Sequence, residues 1–303
     1  MQSVSSILVV VDRGRKAVDA VAKAVLLARK FQARVELFMC DAERGYALSQ
    51  AYVLEGVEAA RKACVADTYR HLDDLRHSAA AEDVQITIDA TCESPLYEVI
   101  VRKVLRDHPD LVIKSAGGSS DRGPAVFDTT DWQLMRTCPA TLMLTRGRPW
   151  QQPARFAAAI DASAAESAGL ARDILGAARN LAGCVGGELD VLYAESLELA
   201  DEQREQGSQT LRDLVAQATD ITPRVHVIAG NPEVGLPGYA KRRDYDAMLL
   251  GALTHRPGYT AQVGSLTSKL VEAVDCDFIL VKPSDYRSPI RESCARLAIP
   301  VPR

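Results

Sequence analysis

The sequence predicts an α/β protein built from two tandem doubly wound domains, each a five-stranded, mostly parallel sheet with helices on both faces. Two observations support this fold class. Short apolar runs of strand length alternate with segments of helical period, and the whole series occurs twice along the 303 residues. The first copy opens with SILVVVD, which ends at Asp12, and the second opens with RFAAAID, which ends at Asp161.

The elements follow in the same order in both copies. An opening strand leads into an Ala-rich helix and a second strand, and a longer polar helix then leads into a third strand. Pro95 and Pro232 each begin the next helix, where the fixed φ and missing N–H of proline are tolerated. The corresponding runs from strand 2 to strand 5 are RVELFMC and ELDVLYA, VQITIDA and RVHVIAG, DLVIKS and DAMLLG, and ATLMLT and DFILVK.

The segment GRPWQQP at 147–153 is rich in Pro, Gly and polar residues, and it predicts a boundary between a domain at 1–148 and a domain at 149–303. Strand 5 of each copy would expose unpaired backbone and apolar surface if the two halves stood apart. We therefore expect ATLMLT and DFILVK to meet, so that one chain already resembles a dimer internally.

Composition argues against several classes of protein. The 47% apolar content is sufficient for globular cores, whereas runs such as ILVVV are far shorter than the ~18 residues of a membrane span. A net charge of −4 with both signs interspersed argues against a nucleic-acid partner. Seven cysteines without metal-site spacing, and the absence of a signal sequence, predict neither a disulfide framework nor secretion, so we expect a cytoplasmic protein.

The stretch LLGALTHRPGYTAQVGS at 249–265 leaves strand 4 of the second copy, at the carboxyl edge where doubly wound sheets bind ligands. Gly251 would let the chain turn sharply off the strand. Gly264 and Ser265 begin a helix, whose free backbone N–H groups and hydroxyl could bind a phosphate. Glycines also punctuate ordinary strand-to-helix loops, so the spacing alone leaves a simple turn as the alternative.

Gly251, twelve intervening residues and Gly264-Ser265 resemble the nucleotide-binding motif of universal stress proteins, with Thr254 in the place of the second motif glycine. The segments FDTTDWQLMRTCP at 127–139 and LVKPSDYRSPI at 280–290 also resemble tandem members of that family. The resemblance implies a strand order of 3-2-1-4-5 and two halves packed like the subunits of a dimer. It also implies ATP, with or without magnesium, as the ligand of the second half.

The first half departs from that motif. Ser115 takes the place of Gly251, and Val126-Phe127 takes the place of Gly264-Ser265, so we expect no nucleotide there. SAGGSSD at 115–121 resembles the SGGxDS loop of ATP pyrophosphatases, but that loop should follow the first strand and this one follows the fourth. We interpret these glycines as a flexible loop.

Other candidate residues have two interpretations each. Asp161 could approach a ribose, adenine or a bound metal, or it could cap the following helix. The resemblance favours the ligand role for Asp161 and places adenine against main-chain atoms near Ala194. His255 and Arg256 could contact phosphate oxygens or belong to solvated surface, and Arg256 is the better candidate. The polar helix around 71–77 is interpreted as a solvated face, and no metal site is predicted.

Together these features predict a cytoplasmic universal stress protein that binds ATP through its second domain, with a structural or interaction role for the first. No Ser-His-Asp set, HExxH or Walker lysine can be assembled, so catalysis is not predicted. Two alternatives stay open. One is slow ATP hydrolysis or self-phosphorylation at Ser265, and the other is a nucleotide-free scaffold or a binder of another ligand, which Thr254 in the motif would favour.

Overall fold

A computed structural model describes residues 4–50, 56–79, 81–117, 127–161, 168–195, 201–216, 221–254 and 262–290. The chain divides into two compact units. The N-terminal unit comprises Val4–Ala140 and the segment that starts at Arg287, and the C-terminal unit comprises Thr141–Tyr286.

The N-terminal unit is a doubly wound α/β unit. Its four strands are all parallel and lie in the order β3-β2-β1-β4. Helices connect each strand to the next, as parallel pairing requires. In chain order the elements are β1 (Ser6–Val10), α1 (Lys16–Phe31), β2 (Arg34–Cys40), α2 (Ala42–Ser49), α3 (Val57–Ser78), β3 (Ile86–Thr91), α4 (Leu96–Asp107), β4 (Leu111–Ser115) and α5 (Thr129–Thr137).

Burial explains the composition of these elements. All five residues of β1 are buried, as expected for a parallel strand covered on both faces. In α1 the small residues Ala17, Ala20 and Ala24 are buried with helical spacing, which lets the helix pack closely on the sheet. Gln32 ends this helix in the left-handed region with a φ of 57°.

The C-terminal unit has the same winding, and its sheet combines the five strands of the second copy with β5 of the first. Its sheet order is β5-β12-β9-β6-β7-β8, and the last five of these strands are parallel. Counted within the second copy, this order is 3-2-1-4-5, so the predicted strand order is confirmed. The elements are β5 (Thr141–Thr145), β6 (Arg155–Ala159), α6 (Ala168–Val185), β7 (Glu188–Glu195), α7 (Asp201–Ala216), β8 (Arg224–Ala229), α8 (Pro232–Ala240), β9 (Ala247–Gly251), β10 (Leu253–Thr254), β11 (Gln262–Val263), α9 (Ser265–Ala273) and β12 (Asp277–Val281).

Strand β5 is the fifth strand of the first copy, yet it lies in the C-terminal unit. It pairs antiparallel with β12, the fifth strand of the second copy, with Leu144 opposite Phe278 and Leu142 opposite Leu280. These are the ATLMLT and DFILVK runs, and their predicted meeting is confirmed. The pairing supplies both runs with backbone partners that a free sheet edge would lack.

Two buried carboxylates hold the segment between β5 and β6. Asp277 accepts hydrogen bonds from the Arg146 N–H and the Trp150 Nε1–H, both at 2.8 Å. Asp246 accepts from the Gln151 N–H at 2.9 Å and from the Arg155 N–H at 2.7 Å. The Pro-rich segment is therefore fastened to the C-terminal sheet. Among the described residues, no helix is both long and apolar enough to span a membrane.

Candidate functional site

The candidate site is the carboxyl edge of the C-terminal sheet. Strands β6 and β9 are hydrogen-bonded neighbours, with Ala158 opposite Leu249, although β7 and β8 separate them in the chain. The winding therefore changes direction between β6 and β9, which is where doubly wound sheets bind ligands. Asp161 follows β6 and is exposed, and Gly251 ends β9. The structure thus brings these two predicted residues to the same edge.

Gly251 packs closely against α6 and does not have a positive φ. A Cβ added at this position would lie 2.8 Å from Leu170 Cδ2 on α6. The Gly251 carbonyl also accepts a 2.8 Å hydrogen bond from Thr267 Oγ1, which links the strand to α9. The described feature that favours a glycine here is therefore the contact with Leu170, and the predicted sharp turn stays a prediction.

Helix α9 begins at the edge of the sheet beside β9. Gly264 is its N-cap with a φ of −61° and a ψ of 142°, and this glycine provides no side-chain cap. The Gly264 N–H donates to the Ala252 carbonyl at 3.3 Å, below the short hairpin in which Thr254 pairs with Gln262. Arg256 and His255 lie outside the described residues. The part of the motif that the structure describes is therefore a helix N-terminus with a glycine as its N-cap.

Glu233 is a site residue that the sequence reasoning missed. Ser265 Oγ donates to Glu233 Oε1 at 2.5 Å, and Lys269 Nζ donates to Glu233 Oε2 at 2.5 Å. The ion pair with Lys269 and the bond from Ser265 hold the pKa of the Glu233 carboxyl below its ordinary value. The carboxylate of Glu233 therefore lies at the N-terminus of α9. The signal in the sequence is weak: Ser265 and Lys269 are four residues apart and so share a helix face.

The Tyr193 hydroxyl is a second missed feature of this edge. Tyr193 is 1% exposed at the end of β7, and within the described part of the chain its hydroxyl oxygen has no hydrogen-bond partner. Burial raises the pKa of Tyr193, and the charges of Asp161 and Glu195 raise it further. The phenol is therefore protonated at neutral pH and offers a donor. The neighbouring Ala194 is buried opposite Ile228 in the sheet.

The same position in the N-terminal unit is filled by its own side chains. Asp131 is fully buried and accepts hydrogen bonds from Lys114 Nζ at 2.7 Å and from the Gly117 N–H at 2.8 Å. Asp128 caps α5 and forms a reciprocal capping box with Asp131. Ser115 donates to the Lys16 carbonyl at 2.9 Å. The helix N-terminus that would bind an anion is thus occupied by carboxylates of the chain.

Phe127 is buried and stacks edge-on with Trp132, with 6.1 Å between the ring centroids. Val126 and Phe127 together take the place of Gly264-Ser265 in the first copy, and Val126 lies outside the described residues. Within the described ranges, no group of three or more His, Cys, Asp or Glu residues is arranged to hold a metal ion. These ranges include the polar helix around 71–77, which is part of α3.

The fold and this edge define a protein of two doubly wound α/β units, in which α9 begins beside a switch point with a glycine as its N-cap. The chain belongs to the universal stress protein family, because the model described as the universal stress protein family matches residues 4–146 and 183–282. The first matched segment spans the first predicted copy, and the second covers the second copy from residue 183 onward, after its opening strand and most of its first helix.

Relatives of the same length carry a more specific name. The chain is 21% identical over 308 aligned residues to universal stress protein E of Salmonella typhi, covering 96% of this chain and 98% of the relative. It is 22% identical over 310 residues to universal stress protein E of Photorhabdus laumondii subsp. laumondii, covering 96% and 99%. The chain is therefore a tandem-domain protein similar to universal stress protein E.

Solved structures agree with the fold. A functionally unknown protein from Pseudomonas aeruginosa PAO1 matches with a TM-score of 0.73 at 21% identity, over 98% of both chains. A universal stress protein from Archaeoglobus fulgidus DSM 4304 matches with a TM-score of 0.68 at 12% identity, over 93% of this chain and 98% of that one. At these identities the likeness establishes the fold alone.

Proposed function

We propose that this universal stress protein binds ATP at the carboxyl edge of its C-terminal unit, and that its N-terminal unit has a structural or interaction role. The observation that carries the proposal is the N-terminus of α9, whose N-cap, Gly264, has no side chain with which to cap it. Backbone N–H groups at such a terminus bind phosphate, and Ser265 adds a hydroxyl donor. This terminus also lies beside the point where the winding changes direction.

The phosphates of ATP would take over the contacts that Glu233 makes. Ser265 Oγ and Lys269 Nζ both donate to the carboxylate of Glu233, so they already hold an anion. The Glu233 side chain is 36% exposed and can turn out into solvent. A triphosphate carries more negative charge than one carboxylate and would bind the two donors in its place.

The adenosine portion would lie over β6 and β7. The Tyr193 hydroxyl, buried without a partner among the described residues, is available to donate to a ribose or adenine oxygen or nitrogen. Asp161 would accept from ribose hydroxyls, and the main chain at Ala194 would face the base. Magnesium would be bound mainly through the phosphates, as is usual for this ion.

A calorimetric titration of the whole chain with ATP and magnesium tests the proposal. Ser265→Ala removes one donor to a charged group and should weaken ATP binding about tenfold. Ser49→Ala, in α2 of the N-terminal unit, is the matched control, because the bond that its hydroxyl makes among the described residues is to the Tyr46 carbonyl of its own helix. The proposal is wrong if ATP shows no saturable binding, or if Ser265→Ala binds ATP like the control.

Transfer of the γ-phosphoryl group to Ser265 is a second candidate. It is favoured by one observation: Glu233 Oε1 lies within hydrogen-bond reach of Ser265 Oγ and could accept its proton as the hydroxyl attacks phosphorus and ADP leaves. The lowered pKa of Glu233 weakens it as a base, so we expect binding without rapid transfer. Mass spectrometry of protein incubated with ATP decides between the two, because transfer adds a phosphoryl group to Ser265.

We also propose that the protein acts in the cytoplasm. All six cysteines among the described residues are free thiols, and five of them are buried. Free thiols are typical of a reducing compartment. Cell fractionation followed by immunodetection tests the location directly, and recovery of the chain from an oxidising compartment would contradict it.

A further inference from the structure

We propose that Cys64 and Cys92 form a reversible disulfide, which makes the N-terminal unit a site of oxidation by peroxides or by small disulfides. Cys64 lies on α3, and Cys92 follows β3 directly. Their Sγ atoms are 2.8 Å apart, and both side chains are buried. A disulfide bond measures about 2.05 Å, so the sulphurs need to approach by less than about 1 Å.

The backbone around the pair suits a local cross-link. Cys64 lies within the first half of the 22-residue α3, and its carbonyl accepts a 2.9 Å hydrogen bond from Thr68 Oγ1. Helix α3 packs directly on β2 and β3. Oxidation would therefore join two elements already in contact, and it would not require either one to leave the fold.

A third thiol, Cys40, lies near the pair but has another partner. Cys40 ends β2, and its Sγ donates to the Glu93 carbonyl at 3.1 Å. Burial raises the pKa of Cys40 to about 11. Because its sulphur is engaged with the main chain, the geometry selects Cys64 and Cys92 as the bonded pair. Cys40 then serves as an internal comparison.

The cysteines at the ends of β2 and β3 can be matched to positions in the other unit. The sheet register aligns Arg34 with Ser6 and Glu188 with Arg155, so Cys40 corresponds to Ala194 by position. Cys40 pairs with Thr91 in β3, and Ala194 pairs with Ile228 in β8. The next residues, Cys92 and Ala229, therefore correspond as well. The first copy thus carries thiols at the carboxyl ends of strands where the second copy carries alanines.

The chemistry balances with hydrogen peroxide as the oxidant. One thiolate attacks a peroxide oxygen, which gives a sulfenic acid and water, and the second thiol displaces water from that sulphur to form the S–S bond. Two thiols and one peroxide therefore give one disulfide and two waters. With a small disulfide such as oxidised glutathione, the products are the protein disulfide and two small thiols.

Burial and the bond from Cys64 raise the pKa of Cys92 to about 12. Since the thiolate is the attacking species, we expect oxidation through Cys92 to be slow at neutral pH and faster at alkaline pH. Transient disulfides of this kind are the form in which cytosolic proteins use them for sensing. The buried pair would respond to sustained rather than brief oxidation.

Peptide mapping of the whole folded chain tests the proposal. The protein is treated with hydrogen peroxide or oxidised glutathione, its remaining thiols are alkylated, and it is digested with trypsin without reduction. The expected product is a linked pair of peptides, 63–70 and 77–102, which carry Cys64 and Cys92, and dithiothreitol should separate them. Cys40→Ser should leave this link intact, whereas Cys64→Ala and Cys92→Ala should each abolish it.

The wild-type map alone decides the question, so the test does not depend on how well the variants fold. The proposal is overturned if both peptides remain singly alkylated after oxidation at pH 9 while the circular dichroism stays native. It is equally overturned if the link forms only in urea, or if Cys40 replaces either partner in the wild-type product.

Discussion

Ser265 and Glu233 are joined by a hydrogen bond of 2.5 Å that runs from the first residue of α9 to the first turn of α8. Asn231 caps α8 by accepting from the Glu233 N–H at 2.8 Å, which fixes the backbone from which the carboxylate extends. The hydroxyl that the family motif would offer to a phosphate is thus already bonded to an anion of the chain. ATP binding, as proposed, is therefore a competition between two anions.

The competition predicts that Glu233→Gln tightens ATP binding. The amide keeps the size of the side chain and a hydrogen-bond acceptor but removes the negative charge that opposes the phosphates. Because the group is exposed and screened, the gain should be modest, on the order of two- to fivefold in Kd at low salt, and smaller at high salt.

Glu188→Gln is the control for that variant, because Glu188 is also an exposed, ion-paired carboxylate of the C-terminal unit, bonded to Arg224 at 2.7 Å. It should leave the Kd for ATP unchanged in calorimetry. A weaker affinity of Glu233→Gln for ATP would show that Glu233 orients Ser265 for the ligand. It would rule out competition between Glu233 and the phosphates.

Gly251→Ala should destabilise the fold by about 1 kcal/mol, because the new methyl would lie 2.8 Å from Leu170 Cδ2. The cost is moderate since the contacted atom is the end of a side chain that can rotate. Gly176→Ala, on the same helix as Leu170 and with open space around it, should instead stabilise by about 0.5 to 1 kcal/mol. Urea unfolding followed by circular dichroism measures both changes.

Combining Gly251→Ala with Leu170→Ala separates packing from backbone effects. If the methyl clash is the cause, the double variant should show a coupling energy that recovers most of the loss assigned to Gly251→Ala. Additive losses would mean that this glycine is needed for some reason other than the contact with α6.

Acid should destabilise the C-terminal unit through Asp190. Burial raises the pKa of Asp190, but hydrogen bonds from Arg224 and Tyr245 outweigh burial, so the pKa lies below its ordinary value. The stability that Asp190 contributes is therefore fully present above its unfolded pKa of about 3.9 and is lost as pH falls through the lower folded pKa.

Asp190→Asn removes that titration and should lower stability at pH 7 by about 1 to 3 kcal/mol, while the difference from wild type shrinks below pH 4. Tyr245→Phe deletes only one of the donors and should cost less. Thermal unfolding between pH 3 and pH 7 measures the difference, with the exposed Asp285→Asn as control. A gap that stays constant across this range would contradict the role assigned to Asp190.

The succession of strands and helices follows from local pattern, because the apolar period recurs in both copies and a proline, Pro95 or Pro232, begins the same helix in each. The strand order, and with it the switch point, is implied by the resemblance to the family. The family motif also led to Gly264 and Ser265. Glu233 could not be found in this way, because its bond to Ser265 spans 32 residues and depends on how α8 packs on α9. The contact between Cys64 and Cys92 is hidden for the same reason, since neither has a sequence spacing typical of a site.

The last prediction is that one ATP binds per chain. In the N-terminal unit, Asp128 and Asp131 already satisfy the start of α5, and Lys114 neutralises Asp131 in a buried pair at 2.7 Å. A phosphate would have to displace a fully buried carboxylate, which would leave Lys114 without its partner. In the C-terminal unit the competing Glu233 is exposed and can turn away.

The stoichiometry must be measured on the whole chain, because a cut at 148 would take β5 from its antiparallel partner β12 and expose both strands. Calorimetry should give a stoichiometry near one, and a photoreactive ATP analogue should label peptides of the C-terminal unit. Ser265→Ala should weaken that single event without revealing a second. A stoichiometry near two, or labelling within 111–137, would mean that the N-terminal crevice accepts nucleotide despite its carboxylates, and the functional asymmetry between the two units would be wrong.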